Sequence, residues 1–557
     1  MPLDMTVNST EVIKSPLSML YHWEATRGND LYLTQPVSGE YHDYTWAQVA
    51  NLARKVANKL KSLALPEGSR IGIFSKNCAE WFITDLGIMM AGHVSVPIFS
   101  TAGPDTVSYV LEHADVQLLF VGKLDNTAEQ VAAIPKAYET VAFPYPNIDT
   151  KQQWDQFIDC EPMTESPVPD MNNVMTIIYT SGSTGQPKGV VHTFNTICWA
   201  AQRSLNQLSV GQGDSIMSYL PLAHITERVL VELASFYSGG KIHFVEALTT
   251  FQRDVVHCQP SLFISVPRLW TKFQMGVLAK MPQSKLDVLL KIPIINKLIA
   301  KKIRQGLGID NSRLWASGSA PLAPAVIEWF AKIGVYISEG WGMTENSAYG
   351  TGSVPFRHDK IGCIGMPYDG VDVRISEEGE IQVKSPCNMV EYYLEPEKTK
   401  EVFTDDGYLR TGDKGVIDGD GYVKITGRLK DIFKTAKGKY VAPAPIESQF
   451  MENPIVEQVC VTGTNLPQPI ALLVLSEEAQ KQDKAEIESS LTATFKDINA
   501  KLESHQVMDR VMVMSNEWSI ENDLLTPTLK VKRHVLEERF ESVIQGSYSD
   551  ELVWVNA

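Results

Sequence analysis

The sequence carries no surplus of positive charge: 50 lysines and arginines stand against 66 aspartates and glutamates, a formal net of −16. A duplex-binding surface must neutralise phosphates with clustered cations, so nucleic acid is excluded as the main partner. Any anionic ligand must therefore meet local positive charge. Paired cysteines are missing too. Seven of them, at 78, 160, 198, 258, 363, 387 and 460, are an odd number spread widely, with no CxxC pair and no histidine at metal-ligand spacing. That pattern fits a reducing compartment better than a disulfide scaffold or a zinc site. Nor is there a long hydrophobic run: the longest, 86–99, is interrupted by Gly92, His93, Ser95 and Pro97 and is too short to span a bilayer. The start, MPLDMTVNSTEVIK, has no basic region followed by an apolar core and no arginine-rich amphipathic pattern, so no signal or transit peptide is expected. A cytoplasmic protein is the expectation.

What is present is ordinary core-building material. The 557 residues are 44% hydrophobic and 21% charged, enough for roughly three or four domain-sized units of a globular protein. From residue 45 onward, helical periodicity alternates with short β-rich runs: a helix over 45–63, a strand over 70–74, a helix over 79–90 and a strand over 94–99. This is βαβ patterning. It recurs with a strand over 215–220, a helix over 225–237, Gly239-Gly240, and strands over 241–245 and 262–266. The two passes lie about 145 to 148 residues apart over three successive elements, which predicts two similar α/β subdomains packed together. After about residue 380 the texture changes to short strands and glycine turns, GEIQVKS and DDGYLRTGDKGVIDGDGYVKITGRLKD. A smaller α+β pattern follows, with strands over 456–462, 470–475 and 510–514 and helices over 484–502 and 532–543. The expected boundary falls at 428–431, dividing a large unit, 1–429, from a small one, 430–557.

The strongest chemical signal is IIYTSGSTGQPKGVVH, residues 177–192. Backbone N–H groups freed by glycine can wrap an anion, hydroxyls add donors and Lys188 adds charge, so the loop from Thr180 to Gly189 reads as a phosphate cradle. It is not a Walker A loop, since Pro187 and Gly189 stand where that motif wants Gly and Ser or Thr. A plain Gly/Ser linker does not explain the apolar strand before it or Val190-Val191 after it. Six further motifs follow: YLPLAHITERV (219–229), ASGSAPL (316–322), EGWGMTE (339–345), YLRTGD (408–413), ITGRLKDIFKTAKGKYVAP (425–443) and LTPTLKVKR (525–533).

This ordered set covers nearly the whole chain and resembles the adenylate-forming superfamily of acyl-CoA synthetases, luciferase and peptide-synthetase adenylation domains. The forms PLAHITERV and LTPTLKVKR are most similar to those of long-chain fatty acyl-CoA synthetases. The resemblance implies ATP, Mg²⁺ and CoA as ligands. It implies phosphate contacts from Thr180, Ser181, Gly182, Ser183, Thr184 and Lys188, and an adenine shelf at Ser317, Gly318, Ser319 and Ala320. Trp341, within Gly340, Trp341, Gly342 and Met343, would form the opposite wall, where the family usually has Tyr. Thr344 would bond the α-phosphate; Glu345, with Thr184, would hold Mg²⁺. Asp413 would take the ribose hydroxyls, with Ile425 and Arg428 beside it. Lys530 would stabilise charge as the adenylate forms; Lys532 is its neighbouring alternative. Lys430 would be the hinge and Gly438 part of the pantetheine tunnel. His224 would sit at the carboxylate and thiol channel.

The reaction so implied is carboxylate plus ATP giving acyl-adenylate and pyrophosphate, then thioester formation with CoA and release of AMP. A medium-chain, aryl or other carboxylate, a carrier protein as acceptor, and a non-catalytic lipid or nucleotide binder are the alternatives; intact Lys188, Glu345, Asp413 and Lys530 speak against the last. One stretch lies outside these motifs. Residues 272–304 carry Lys272, Lys280, Lys285, Lys291, Lys297, Lys301, Lys302 and Arg304 against Asp287, interleaved with Val, Leu and Ile. This reads as a solvated helical face, with contact to an anionic membrane as the sharper alternative.

Overall fold

A computed structural model of the chain describes residues 12–180, 186–520, 522–526 and 529–555. Its first sheet grows from the β-branched run Arg70–Phe74, which pairs in parallel with Val94–Ile98 on one side and Val116–Val121 on the other, with Thr140–Ala142 beyond. In the second, Ser215–Ser218 pairs in parallel with Lys241–Phe244 on one side and Leu262–Ser265 on the other, with Leu314–Ser317 beyond. The strand order is the same in both, so topology matches the spacing in the sequence. The helix Ala79–Ala91 is apolar nearly all round and buried, as a helix between two layers must be. Its Gly87 lets the helix Trp46–Ser62 come close: a Cβ there would lie 2.5 Å from Val56 Cγ1.

A four-stranded antiparallel sheet, Asp372–Ile375, Glu380–Lys384, Leu409–Ile417 and Val423–Arg428, follows the two α/β layers. The C-terminal part has its own sheet, Val456–Thr462, Ile470–Leu475, Arg510–Met514 and Leu552–Val555. Against it lies the helix Lys484–Lys501, which buries Ile487, Leu491, Phe495 and Ile498 at helical spacing on one face. The whole is the expected α/β architecture with a smaller α+β unit. Periodicity misses the hairpin Leu31–Val37 and Glu40–Thr45, which docks on Lys241–Phe244 of the second sheet, and the strand Leu552–Val555. The helix expected over 532–543 divides at Phe540. No helix among the described residues is long and apolar enough to cross a membrane.

The helix expected over 225–237 contains a π-helical turn, Arg228–Leu233. Arg228 there is fully buried and reaches Asp85 and Glu232, both also fully buried, at 3.0 Å each. Its guanidinium lies 4.8 Å from the centre of the Trp81 ring and donates to Ser95 Oγ. Burial holds Glu232 well above the usual carboxylate range, with Asp85 adding to the effect of burial and Arg228 opposing it. Arg228→Met is expected to cost about 3–5 kcal/mol, because it strands a buried carboxylate. Adding Asp85→Asn and Glu232→Gln is expected to recover most of that loss, read by urea unfolding; equal stability of single and triple variants contradicts the account.

Candidate active site

Strands Leu314–Ser317 and Ile337–Trp341 run side by side in parallel, and the segments leaving their carboxyl ends carry residues 318–320 and 342–345. Ligands of open α/β sheets bind at such ends. The turns are packed closely: a Cβ on Gly318 would lie 3.2 Å from Gly340 O, and one on Gly342 would lie 2.5 Å from Ala348 C. A cleft opens here, lined by Thr226, Leu230, Ile264, Ser317, Trp341 and Tyr368 among others. Ser317 Oγ is buried and has no hydrogen-bond partner in the protein among the described residues, a spare polar atom at the wall. Ser319 takes a left-handed conformation, φ 67°, and with Ala320 is exposed.

Asp413 and Arg428 face each other in the antiparallel ladder of Leu409–Ile417 and Val423–Arg428. Arg428 Nε lies 2.9 Å from Asp413 Oδ1, while Trp341 Nε1 donates to Asp413 Oδ2 at 3.0 Å. One buried carboxylate thus sets both the indole of Trp341 and the guanidinium of Arg428. Trp341, Met343 and Ile425 pack on the same apolar cluster as Val190 and Tyr392.

Thr344 and Glu345 lie on a short 3₁₀ turn, Thr344–Asn346. His192, fully buried, meets Thr344 O through Nε2 at 2.8 Å. Burial depresses its pKa to about 4, against the Thr344 hydrogen bond, so the ring is neutral and Nε2 donates. Tyr392 OH donates to Glu345 Oε1 at 2.7 Å, and Lys188 Nζ sits 4.6 Å from the centre of the Tyr392 ring. Tyr392 therefore stands between the lysine and the carboxylate. Desolvation, then the charge of Lys430, pushes the Lys188 pKa down, and Glu345 opposes. Sequence reading passes over Tyr392, which no motif marks. His192 ends the loop motif, but its tie to Thr344 spans 152 residues.

His224 caps the helix that follows it, its Nδ1 accepting from Thr226 N at 3.2 Å. Burial, reinforced by Lys530, lowers its pKa to about 4, so the imidazole is neutral at pH 7. Glu227, one turn on, accepts from Ser218 Oγ, Tyr219 N and Asn77 Nδ2 at 2.7, 3.0 and 3.1 Å. Burial nonetheless pushes it from 4.5 up to about 8. The native chain then keeps a proton that the unfolded chain releases. Its stabilising contribution is full below 4.5 and is lost as pH rises through about 8. Glu227→Gln is expected to flatten the fall in unfolding free energy between about pH 6.5 and 8.5 by about 1–2 kcal/mol. Identical slopes for variant and wild type contradict the shift.

Lys530 comes from the C-terminal part, on a turn closed by Lys530 N to Thr526 Oγ1 at 3.1 Å. Desolvation lowers its pKa, with Arg428 acting in the same direction and Asp413 and Glu345 against it. These groups and His224 are therefore coupled electrostatically to Lys530, whose side chain is itself exposed. Lys532 instead pairs with Asp523. An Arg268–Glu457 ion pair joins the second sheet's helix Pro267–Lys280 to the C-terminal sheet. Gly438 stands apart, on an exposed hairpin tip with φ 77° whose neighbour Ala436 bonds Leu466 O. Ser181, Gly182, Ser183 and Thr184 lie outside the described residues. Among those described, no group of three His, Cys, Asp or Glu side chains could hold a metal. A single carboxylate beside Lys188, as at Glu345, suits a hard cation that also takes ligand phosphates.

The chain matches the AMP-binding enzyme family model over residues 21–393 and the AMP-binding enzyme C-terminal domain model over 430–552. It is 30% identical to a long-chain-fatty-acid–CoA ligase of Mycobacterium bovis over 96% of this chain and 97% of that protein. It is 30% identical to fatty acyl-CoA synthetase A of Dictyostelium discoideum, over 92% and 87%. Among solved structures, the adenylation domain of a carboxylate reductase from Mycobacterium chelonae matches with a TM-score of 0.80 at 21% identity, over 97% of this chain and 92% of that one. That likeness concerns the fold.

Proposed function

We infer that this chain, which belongs to the AMP-binding enzyme family, is an ATP-dependent acid–thiol ligase that converts long-chain fatty acids to their acyl-CoA thioesters. The observation that carries the reading is the buried Asp413 carboxylate holding both Arg428 and Trp341, the latter in the wall of a cleft two of whose strands end in adenylate-family motifs, with Lys530 electrostatically coupled to Arg428 and Asp413. The long-chain assignment draws on relatives whose names state it.

In the first step a carboxylate oxygen attacks the α-phosphorus of ATP, the new P–O bond forms and the bond to pyrophosphate breaks. Lys188 and the loop before it would hold the leaving phosphates, Thr344 the α-phosphate, and Asp413 the ribose. Trp341, fixed by Asp413, would wall the adenine against Ser317, Gly318, Ser319 and Ala320. Mg²⁺, carried by Glu345 with Thr184, would neutralise phosphate charge. Lys530 would act on the oxygens where negative charge gathers, in a site that is already partly dry. In the second step the CoA sulfur attacks the acyl carbon, AMP leaves with the C–O bond electrons, and the thiol proton goes to solvent. We place the division between the large and small units at 429/430, with Lys430 as pivot and Gly438 arriving for the second step. His224, neutral, would line the channel and needs no role as a base. The enzyme is placed in the cytoplasm, in keeping with its free cysteines.

The test is release of pyrophosphate and AMP over a carboxylate series from acetate to oleate, with and without CoA. Turnover is expected to rise toward the long chains and to yield thioester only with CoA. No turnover with any acid would remove the synthetase reading, and an optimum at aryl or short acids would remove the long-chain assignment.

A further inference from the structure

The basic segment singled out in the sequence folds as three helices, Pro267–Lys280, Gln283–Lys291 and Ile295–Gly306. Their inner sides are accounted for. Trp270, Phe273, Leu286 and Ala300 are buried in the cluster containing Trp329 and Phe330, and Leu290, Ile299 and Ile303 pack against it. The outer side is not what a solvated face would be. Val288, Ile292, Ile294, Ile295 and Leu298 are exposed, Ile294 by 74% and Leu298 by 62%. Of 19 exposed large apolar residues in the described chain, five thus fall within the span 288–298. Soluble proteins scatter such residues singly.

The apex of this patch is the turn Ile292-Pro293-Ile294 between the second and third helices. Ile294 takes φ 71° there, a conformation that a β-branched side chain adopts only under constraint. Around it stand seven exposed lysines: Lys272, Lys280, Lys285, Lys291, Lys297, Lys301 and Lys302. Among the described residues, none of them has a carboxylate within 4 Å, whereas Arg304 is paired with Asp310. Asp287, the acid within the segment, takes a hydrogen bond from Gln283.

Free cations around exposed aliphatic side chains, on helices that lie along the surface, are the composition of an interfacial membrane anchor. The contrast with the rest of the chain adds direction. A protein of net charge −16 is repelled by an anionic bilayer except where positive charge is concentrated. We propose that the three-helix surface 267–306 docks this protein on anionic phospholipid bilayers, with Ile292, Ile294 and Leu298 entering the headgroup boundary and the lysines meeting lipid phosphates. The proposal does not depend on the reading of the reaction.

The experiment is flotation of the full chain with vesicles of phosphatidylcholine alone, or with roughly one third phosphatidylglycerol. Binding to the anionic vesicles is expected to be at least ~10-fold tighter and to weaken as salt is raised. The triple variant Lys291→Glu, Lys297→Glu, Lys301→Glu should lose at least ~10-fold in that binding. Ile294→Ser with Leu298→Ser should weaken the salt-resistant part. Pyrophosphate release with water-soluble octanoate serves as the fold control and should match wild type in both variants. Wild type that ignores anionic vesicles, or variants that bind them as wild type does, would overturn the proposal. So would a wild-type dimer that the Ile294/Leu298 variant dissolves, since the patch would then be a contact between copies. Failure of every carboxylate to turn over leaves flotation readable and counts only against the reaction.

Discussion

Lys530→Ala is expected to lower acyl-adenylate formation, read as pyrophosphate release, by about 10²–10³-fold, the cost typical of removing one preorganised group from a developing oxyanion. Thioester formation from a supplied acyl-adenylate and CoA is expected to stay within about threefold of wild type. The split follows from where the residue sits. Its charge is coupled to Arg428, Asp413, Glu345 and His224, a coupling that crosses from the C-terminal part to the large one. The second step moves no phosphorus bond and would use the small unit in another position. Lys532→Ala is the control: its side chain is engaged with Asp523, so adenylation should change little. Equal loss of both half-reactions in Lys530→Ala, or a larger loss in Lys532→Ala, would sink the assignment.

Replacing Glu345 by Gln should lower kcat/KM for MgATP by at least about 10²-fold, with a parallel rise in the Mg²⁺ concentration needed for half-maximal rate. The substitution keeps shape and keeps an oxygen for Tyr392 OH, which now lies 2.7 Å from the carboxylate. What it removes is the charge. Tyr392→Phe removes the hydrogen bond and keeps the charge, and should cost no more than about tenfold. If Tyr392→Phe matches Glu345→Gln, orientation rather than charge is what the carboxylate supplies. If neither alters the Mg²⁺ dependence, the cation lies elsewhere.

The candidate site was legible to unequal degrees. Asp413 and Arg428 were singled out by the resemblance of their two motifs to the adenylate-forming family, and the ladder makes them opposite residues. Trp341 departs from the Tyr usual at its position, yet its indole N–H finds Asp413, a bond that spacing alone does not suggest. Tyr392 has no motif around it. Its edge strand, Glu391–Tyr392, pairs with Lys188–Thr193 about two hundred residues earlier, and only that pairing puts it between Lys188 and Glu345.

By itself the sequence determined what short-range physics controls. The β-branched runs 456–462, 470–475 and 510–514 become strands with those limits, because alternation and flanking turns are local signals. The repeated βαβ pattern carried the duplicated strand order, and the glycines at 318 and 342 stand in turns where a Cβ is crowded, at 342 with no room at all. Tertiary structure decided what depends on closing long loops. It sent the hairpin of residues 31–45 to the second sheet, brought Arg228 to Asp85, and paired Lys532 with Asp523. The longest-range of these pairings are settled by burial and charge between segments about 140 to 210 residues apart, and no periodicity within either segment encodes its partner.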